Sequence, residues 1–247
     1  PVVGELGKHF SVVRLDNRGI GQSKGHRPVT RLHDYSADLV ELLDHLQVER
    51  AHVLGLSLGG VVAQRFTMDH GDRVDRLVLV SCPHRFGPYL REIAQLLGQS
   101  LRYFPRKLFA RTMEILGSGP GFIDESPEKI DQNVAETVAQ KISRAALVQQ
   151  LKALGASDND VEHGEFGIDH PTLVIGGEYD SLIPHRYTRQ MSEVIPGSRF
   201  LLVEEAGHNP FMECPEKIVP AIISFLTGGE VSGGDPTDGG TRHEAAA

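Results

Sequence analysis

Between residues 51 and 81 the chain alternates short apolar runs with a helical stripe, and that alternation restricts it to one fold class. Residues 51–56 read as a strand, 58–70 as a helix and 76–81 as a second strand. The unbroken apolar character of RLVLVS fits a strand covered on both faces. The pattern continues on either side. Residues 10–16 (FSVVRLD) read as a strand, and residues 34–46 as a helix with Leu39, Leu42, Leu43 and Leu46 on one stripe. Further on, 172–176 and 199–203 read as strands, and 184–194 and 215–226 as helices. Strand–helix–strand repetition pairs strands in parallel through right-handed crossovers. The expected architecture is therefore α/β, a mostly parallel sheet flanked by helices.

From residue 83 to 165 the strand pattern stops, and four helical stripes take its place. Leu90, Ile93, Leu97 and Leu101 form the first, and Leu108, Phe109, Met113 and Leu116 the second. Ser126 and Pro127 make a cap and first-turn pair ahead of Ile130, Val134 and Val138. Ser143 caps a fourth stripe through Leu147, Leu151 and Leu154. An insertion at the C-terminal end of a strand, where α/β sheets bind ligands, reads as a helical lid. The expected division is an α/β core in two parts, 1–82 and 166–227, with the lid between them. The tail, 228–247, is rich in Gly and acidic residues with few large apolar side chains, so it is expected to be disordered.

Composition narrows the partners. The chain has 247 residues, 40% of them hydrophobic, and a formal charge of −8. With no Lys/Arg cluster, such a chain is a poor candidate for nucleic acid or anionic lipid. No run of about 18 apolar residues exists to span a membrane. Two cysteines, Cys82 and Cys214, make no disulfide framework, and no secretory leader is visible. A cytoplasmic protein with a small-molecule substrate is expected. The 12 histidines include no H-E-x-x-H and no zinc spacing, so no metal is expected. Gly19-Ile20-Gly21 lacks the third glycine of a dinucleotide fingerprint, and no cofactor is expected.

The chemistry centres on Gly55-Leu56-Ser57-Leu58-Gly59-Gly60, a G-x-S-x-G placed between a strand and a helix. A nucleophile on so tight a turn needs small neighbours two positions away. The following N–H, that of Leu58 at the helix N-terminus, then faces a developing oxyanion. A serine hydroxyl also needs a base, and the base an orienting acid. Asp180 follows the strand TLVIGG, and His208 follows RFLLVEE. Both loops would open on the same sheet edge as Ser57, in the chain order Ser, acid, His. Ser57 is the candidate nucleophile, His208 the general base and Asp180 its orienter. Glu178 is a weaker candidate acid, read as solvated. A Cys82–His84 dyad at the end of the preceding strand is a minor alternative.

Four blocks resemble the α/β-hydrolase superfamily: DNRGIGQS from residue 16, the GLSLGG elbow, GEYDSLIP around Asp180 and AGHNPFMECPE around His208. The branch most similar contains enol-lactonases, cofactor-free haloperoxidases and small carboxylesterases. The resemblance implies that Asp16, Arg18 and Ser23 fix a loop and take no part in the chemistry. It implies a serine hydrolase that cleaves a small ester, thioester or lactone through an acyl-enzyme. A serine at the elbow is unlike the aspartate of the haloalkane dehalogenase and epoxide hydrolase branches. Perhydrolysis, C–C or amide hydrolysis on the same triad is the alternative, as is a ligand-sensing or signalling protein on this fold. Family members also begin with further strands and a His-Gly loop that supplies a second oxyanion N–H. By that comparison the chain is expected to lack a few tens of upstream residues.

Overall fold

The computed structural model describes residues 2–23, 31–140, 142–155, 167–231 and 235–236. A short helix α1 (Val2–Leu6) leads to α2 (Leu32–His45), β1 (Ala51–Leu56), α3 (Leu58–Asp69) and β2 (Val74–Val80). Five helices follow: α4 (Pro88–Tyr103), α5 (Arg106–Gly117), α6 (Pro120–Glu125), α7 (Pro127–Ala139) and α8 (Arg144–Gly155). The sheet resumes with β3 (Thr172–Gly177), then α9 (His185–Val194) and β4 (Arg199–Val203). The chain continues through α10 (Pro210–Glu213), α11 (Pro215–Leu226) and β5 (Asp235–Pro236). The strands lie in the order β1-β2-β3-β4-β5, the first four parallel and β5 antiparallel.

Two apolar layers cover the sheet, and strand alternation assigns each side chain to one of them. Leu77 and Leu79 of β2, Val174 of β3 and Phe200 of β4 meet Val61 and Val62 of α3 and Met191 of α9. Val78, Val80, Leu173, Ile175, Leu201 and Val203 face the other way, onto Ile218, Ile222 and Phe225 of α11. Leu77 through Val80 are completely buried. Each such side chain contributes about 1.5–3 kcal/mol of hydrophobic stabilisation. This double cover is why RLVLVS is apolar without interruption.

Three expectations need correction. Residues 10–16 form no strand: among the described residues no ladder reaches them, and Val12, Val13 and Leu15 are exposed. An apolar run becomes a strand only where a neighbour accepts its backbone bonds, and β1 pairs with β2 alone among the described strands. The insertion contains five helices rather than four, because Pro120 starts a short extra helix on the Gly119 cap. Residues 156–165, expected as its end, lie outside the described residues. The tail is not wholly unstructured: Val231 packs into the second core layer, and 235–236 pair with β4. Disorder expected for 232–234 and 237–247 falls outside the described residues.

The D-x-R-G turn is anchored as a loop. The Asp16 carboxylate accepts the Gln22 amide at 2.9 Å, and Ser23 O accepts the Gly19 amide at 2.7 Å. The Arg18 guanidinium is bidentate on Asp38 of α2. Asp16 and Arg18 brace the loop through their side chains, and Ser23 through its carbonyl.

Candidate active site

The candidate side chains lie just past strand ends, and the backbone is strained there. Ser57 after β1, Ser81 after β2 and Glu205 after β4 all have positive φ, at 54°, 48° and 67°. A non-glycine residue in that region costs about 1–3 kcal/mol, so the surrounding packing must impose it. Ser57 sits between β1 and α3 with ψ at −119°. The Ser57 amide donates to Val80 O at 2.9 Å, and the Ser57 carbonyl accepts Val61 N at 3.1 Å, opening α3. These bonds turn the half-buried Ser57 out of the strand, with the Leu58 N–H at the helix N-terminus beside it.

The small residues of this turn are explained by close approach, with one change from expectation. A Cβ at Gly55 would lie 2.2 Å from Gly59 O, and one at Gly60 would lie 2.4 Å from Cys82 Sγ. Gly59 itself meets nothing within 4 Å. The steric demand therefore falls on Gly55 and Gly60, where the turn packs on itself and on Cys82, just past β2.

Asp180 and His208 are brought together. Asp180 Oδ1 accepts the amides of Leu182 at 3.0 Å and Ile183 at 2.8 Å. Its Oδ2 lies 2.8 Å from His208 Nδ1. A carboxylate only accepts, so Nδ1 is the donor, and in the neutral imidazole the lone pair lies on Nε2. The Asp180 side chain is 1% exposed and that of His208 13%, so this bond is shielded from water. The two loops are also stitched through backbone: Tyr179 N donates to Ala206 O at 2.8 Å, and Glu178 N to Val203 O at 3.1 Å. Ser57 is not hydrogen-bonded to His208 among the described residues. Such contacts are often long in unliganded enzymes and tighten on substrate.

The other candidates have different partners. Glu178 is half-buried, and its Oε2 accepts the Glu205 amide at 3.1 Å, which makes it a loop brace. Cys82 is fully buried, and its sulfur accepts Gln64 Nε2 at 3.5 Å. Burial pushes its thiol up to about 12, the wrong direction for a nucleophile. Native protein is therefore expected to keep Cys82 unalkylated by iodoacetamide at pH 8, with full modification in guanidinium. Peptide mapping reads this out, and rapid native alkylation would revive the dyad.

One residue escaped sequence reading. Glu213, five positions after His208, carries a largely buried carboxylate whose Oε2 accepts the amides of Gly119 and Gly207 at 2.7 and 2.9 Å. An acid just before a Cys-Pro helix start looks like an ordinary cap. Only the folded chain shows that it faces the insertion.

No helix of the described chain is long and apolar enough to cross a membrane. Among the described residues, no cluster of His, Cys, Asp or Glu could hold a metal ion. At the insertion's border with the acid loop lies an open groove of about 620 Å³, lined in part by Ser118, Pro120, Ile123, Asp180 and Pro184.

The chain is similar to known proteins over most of its length. Residues 2–215 match the family described as alpha/beta hydrolase fold. RutD of Agrobacterium fabrum, named as a candidate carbamate hydrolase, is 24% identical over 92% of this chain and 86% of its own. Epoxide hydrolase A of Mycobacterium tuberculosis is 29% identical over 94% of this chain and 85% of its own. The enol-lactonase from Burkholderia xenovorans superposes with a TM-score of 0.81 at 26% identity, covering 91% of this chain and 84% of that one. The chain belongs to the alpha/beta hydrolase fold family and is an enzyme of the hydrolase type.

Proposed function

We propose that this hydrolase uses Ser57 to cleave a small carboxylic ester, thioester or lactone through an acyl-enzyme. The observation that carries the reading is the 2.8 Å contact between Asp180 and His208, which orients the ring and makes Nε2 the basic nitrogen of the neutral imidazole. In this reading Nε2 takes the Ser57 proton as Oγ attacks the substrate carbonyl. Negative charge grows on the carbonyl oxygen and is met by the Leu58 N–H. The tetrahedral intermediate collapses, and the leaving oxygen or sulfur takes the proton back from His208. The acyl group remains on Ser57. Water, deprotonated by His208, attacks it and releases the acid and free enzyme. Asp180 stabilises the imidazolium in both halves. The helical insertion, residues 83–165, acts as a lid that shapes the acyl pocket.

A carbamate is a second reading, favoured by the likeness to RutD over nearly the whole chain. The steps are the same, except that His208 protonates a leaving amine or alkoxide. A serine at the elbow weighs against an epoxide as substrate.

The test is intact-mass labelling with a fluorophosphonate, comparing the chain with Ser57→Ala. One adduct per chain is expected, with none on the variant. Absence of an adduct on protein shown to be folded by circular dichroism would overturn the serine mechanism. Rates on a p-nitrophenyl ester, a lactone and a carbamate then separate the substrate classes.

A further inference from the structure

Glu213 has no part in the steps above, yet its carboxylate is mostly buried, where an apolar side chain would cost less. Its hydrogen bonds show what it holds. Oε2 accepts two backbone amides at once, Gly119 at 2.7 Å and Gly207 at 2.9 Å. Gly207 precedes the base, and Gly119 lies in the link between α5 and α6 of the insertion. A third bond runs beside these, from the His208 amide to Gly117 O at 2.8 Å. The two segments touch so closely that a Cβ at Gly207 would lie 2.6 Å from Gly117 O. The insertion's α5–α6 link and the base's loop are thus joined through the Glu213 carboxylate and through the His208 amide. Burial holds the pKa of Glu213 above the usual carboxylate range, with the Asp180 charge adding to the rise and the amides of Gly119, Gly207 and Asn209 opposing it. Its other oxygen, Oε1, is buried with no hydrogen-bond partner among the described residues.

We propose that Glu213 is a positioning residue that locks residues 117–119 onto the His208 loop, so that the imidazole reaches Ser57 only while the insertion is docked. The inference rests on the serine-hydrolase reading. His208 is held at its ring by Asp180 and at its backbone by this latch. Loss of the latch leaves the Asp180 contact free to form but lets the loop shift as a unit, and reacting groups displaced by about 1 Å lose up to 10²-fold in rate. Because the latch acts on the base, its loss falls on kcat rather than on substrate affinity.

The experiment uses the full chain and three variants: Glu213→Ala, Glu213→Leu and Glu213→Gln. Turnover of p-nitrophenyl butyrate is measured per active site, with sites counted by fluorophosphonate adduct mass, so that unfolded protein does not enter kcat. Glu213→Leu fills the space without an acceptor and covers the case in which Glu213→Ala does not fold. Both are expected to lower kcat per site about 10- to 100-fold with KM changed less than about threefold. Glu213→Gln keeps a carbonyl oxygen for the two amides and is expected to restore kcat to within about threefold of the parent. Unchanged kcat per site in the leucine variant overturns the proposal, as does a glutamine variant no better than leucine. Failure of the parent chain to label is a different result, since it sinks the serine-hydrolase reading itself.

Discussion

His208→Ala is expected to lower kcat by roughly 10⁶-fold on any ester the enzyme turns over, with little change in KM. The magnitude follows from the role of the imidazole. Without Nε2 the Ser57 hydroxyl must attack while still protonated, and the leaving group must depart unassisted. Ser57→Ala is expected to cost as much. The double variant is expected to be no worse than either single one, because nucleophile and base act as one unit. Stopped-assay rates with enzyme in large excess can follow such slow turnover. A His208→Ala enzyme retaining activity within about 100-fold of the parent would remove this residue from the role of base.

Asp180→Asn should come next in size, at about 10⁴-fold in kcat. The substitution keeps the volume, and the asparagine carbonyl still accepts from Leu182 and Ile183. Its NH₂ then faces His208 Nδ1, which must become the acceptor, so the proton moves to Nε2 and the base is in the wrong tautomer. The thermal midpoint is expected within a few degrees of the parent, since no amide loses its acceptor. The control is Glu178→Gln. That residue braces Glu205 rather than His208, so only a small change is expected. If Glu178→Gln costs more than Asp180→Asn, the acid has been assigned to the wrong residue.

The candidate site was readable because each of its members lies just past a strand, and local sequence marks strand ends. GEYDSLIP and AGHNPF follow runs of mostly buried apolar residues, and GLSLGG follows the β1 run AHVL, which is half-buried or exposed. Turn chemistry and strand polarity put the three loops on one edge without any knowledge of long-range contacts. The turn at Gly55 is almost as local, since the atom a side chain would strike belongs to Gly59. Gly60 differs. Its restriction comes from Cys82, more than 20 positions away, and a pattern written around the serine puts the constraint on Gly59 instead.

Residues 10–16 mark the limit of period-two reading. Their composition suits a strand, but hydrogen bonds to a neighbour make one, and no described strand lies against them. The short helix α6 was hidden for a related reason. Six residues are too few to show a stripe, and the helix is stabilised at its start by Glu213 from the far end of the chain.

Fold class, element order and the identity of the three candidate catalytic residues are all properties of local periodicity and turn chemistry, which act over a few residues at a time. The docking of the insertion is of another kind. Glu213 and Gly119 are 94 positions apart, and nothing in either segment reports the other. Their meeting depends on how five helices pack over the sheet edge, a sum of many weak contacts that no single stretch of sequence encodes.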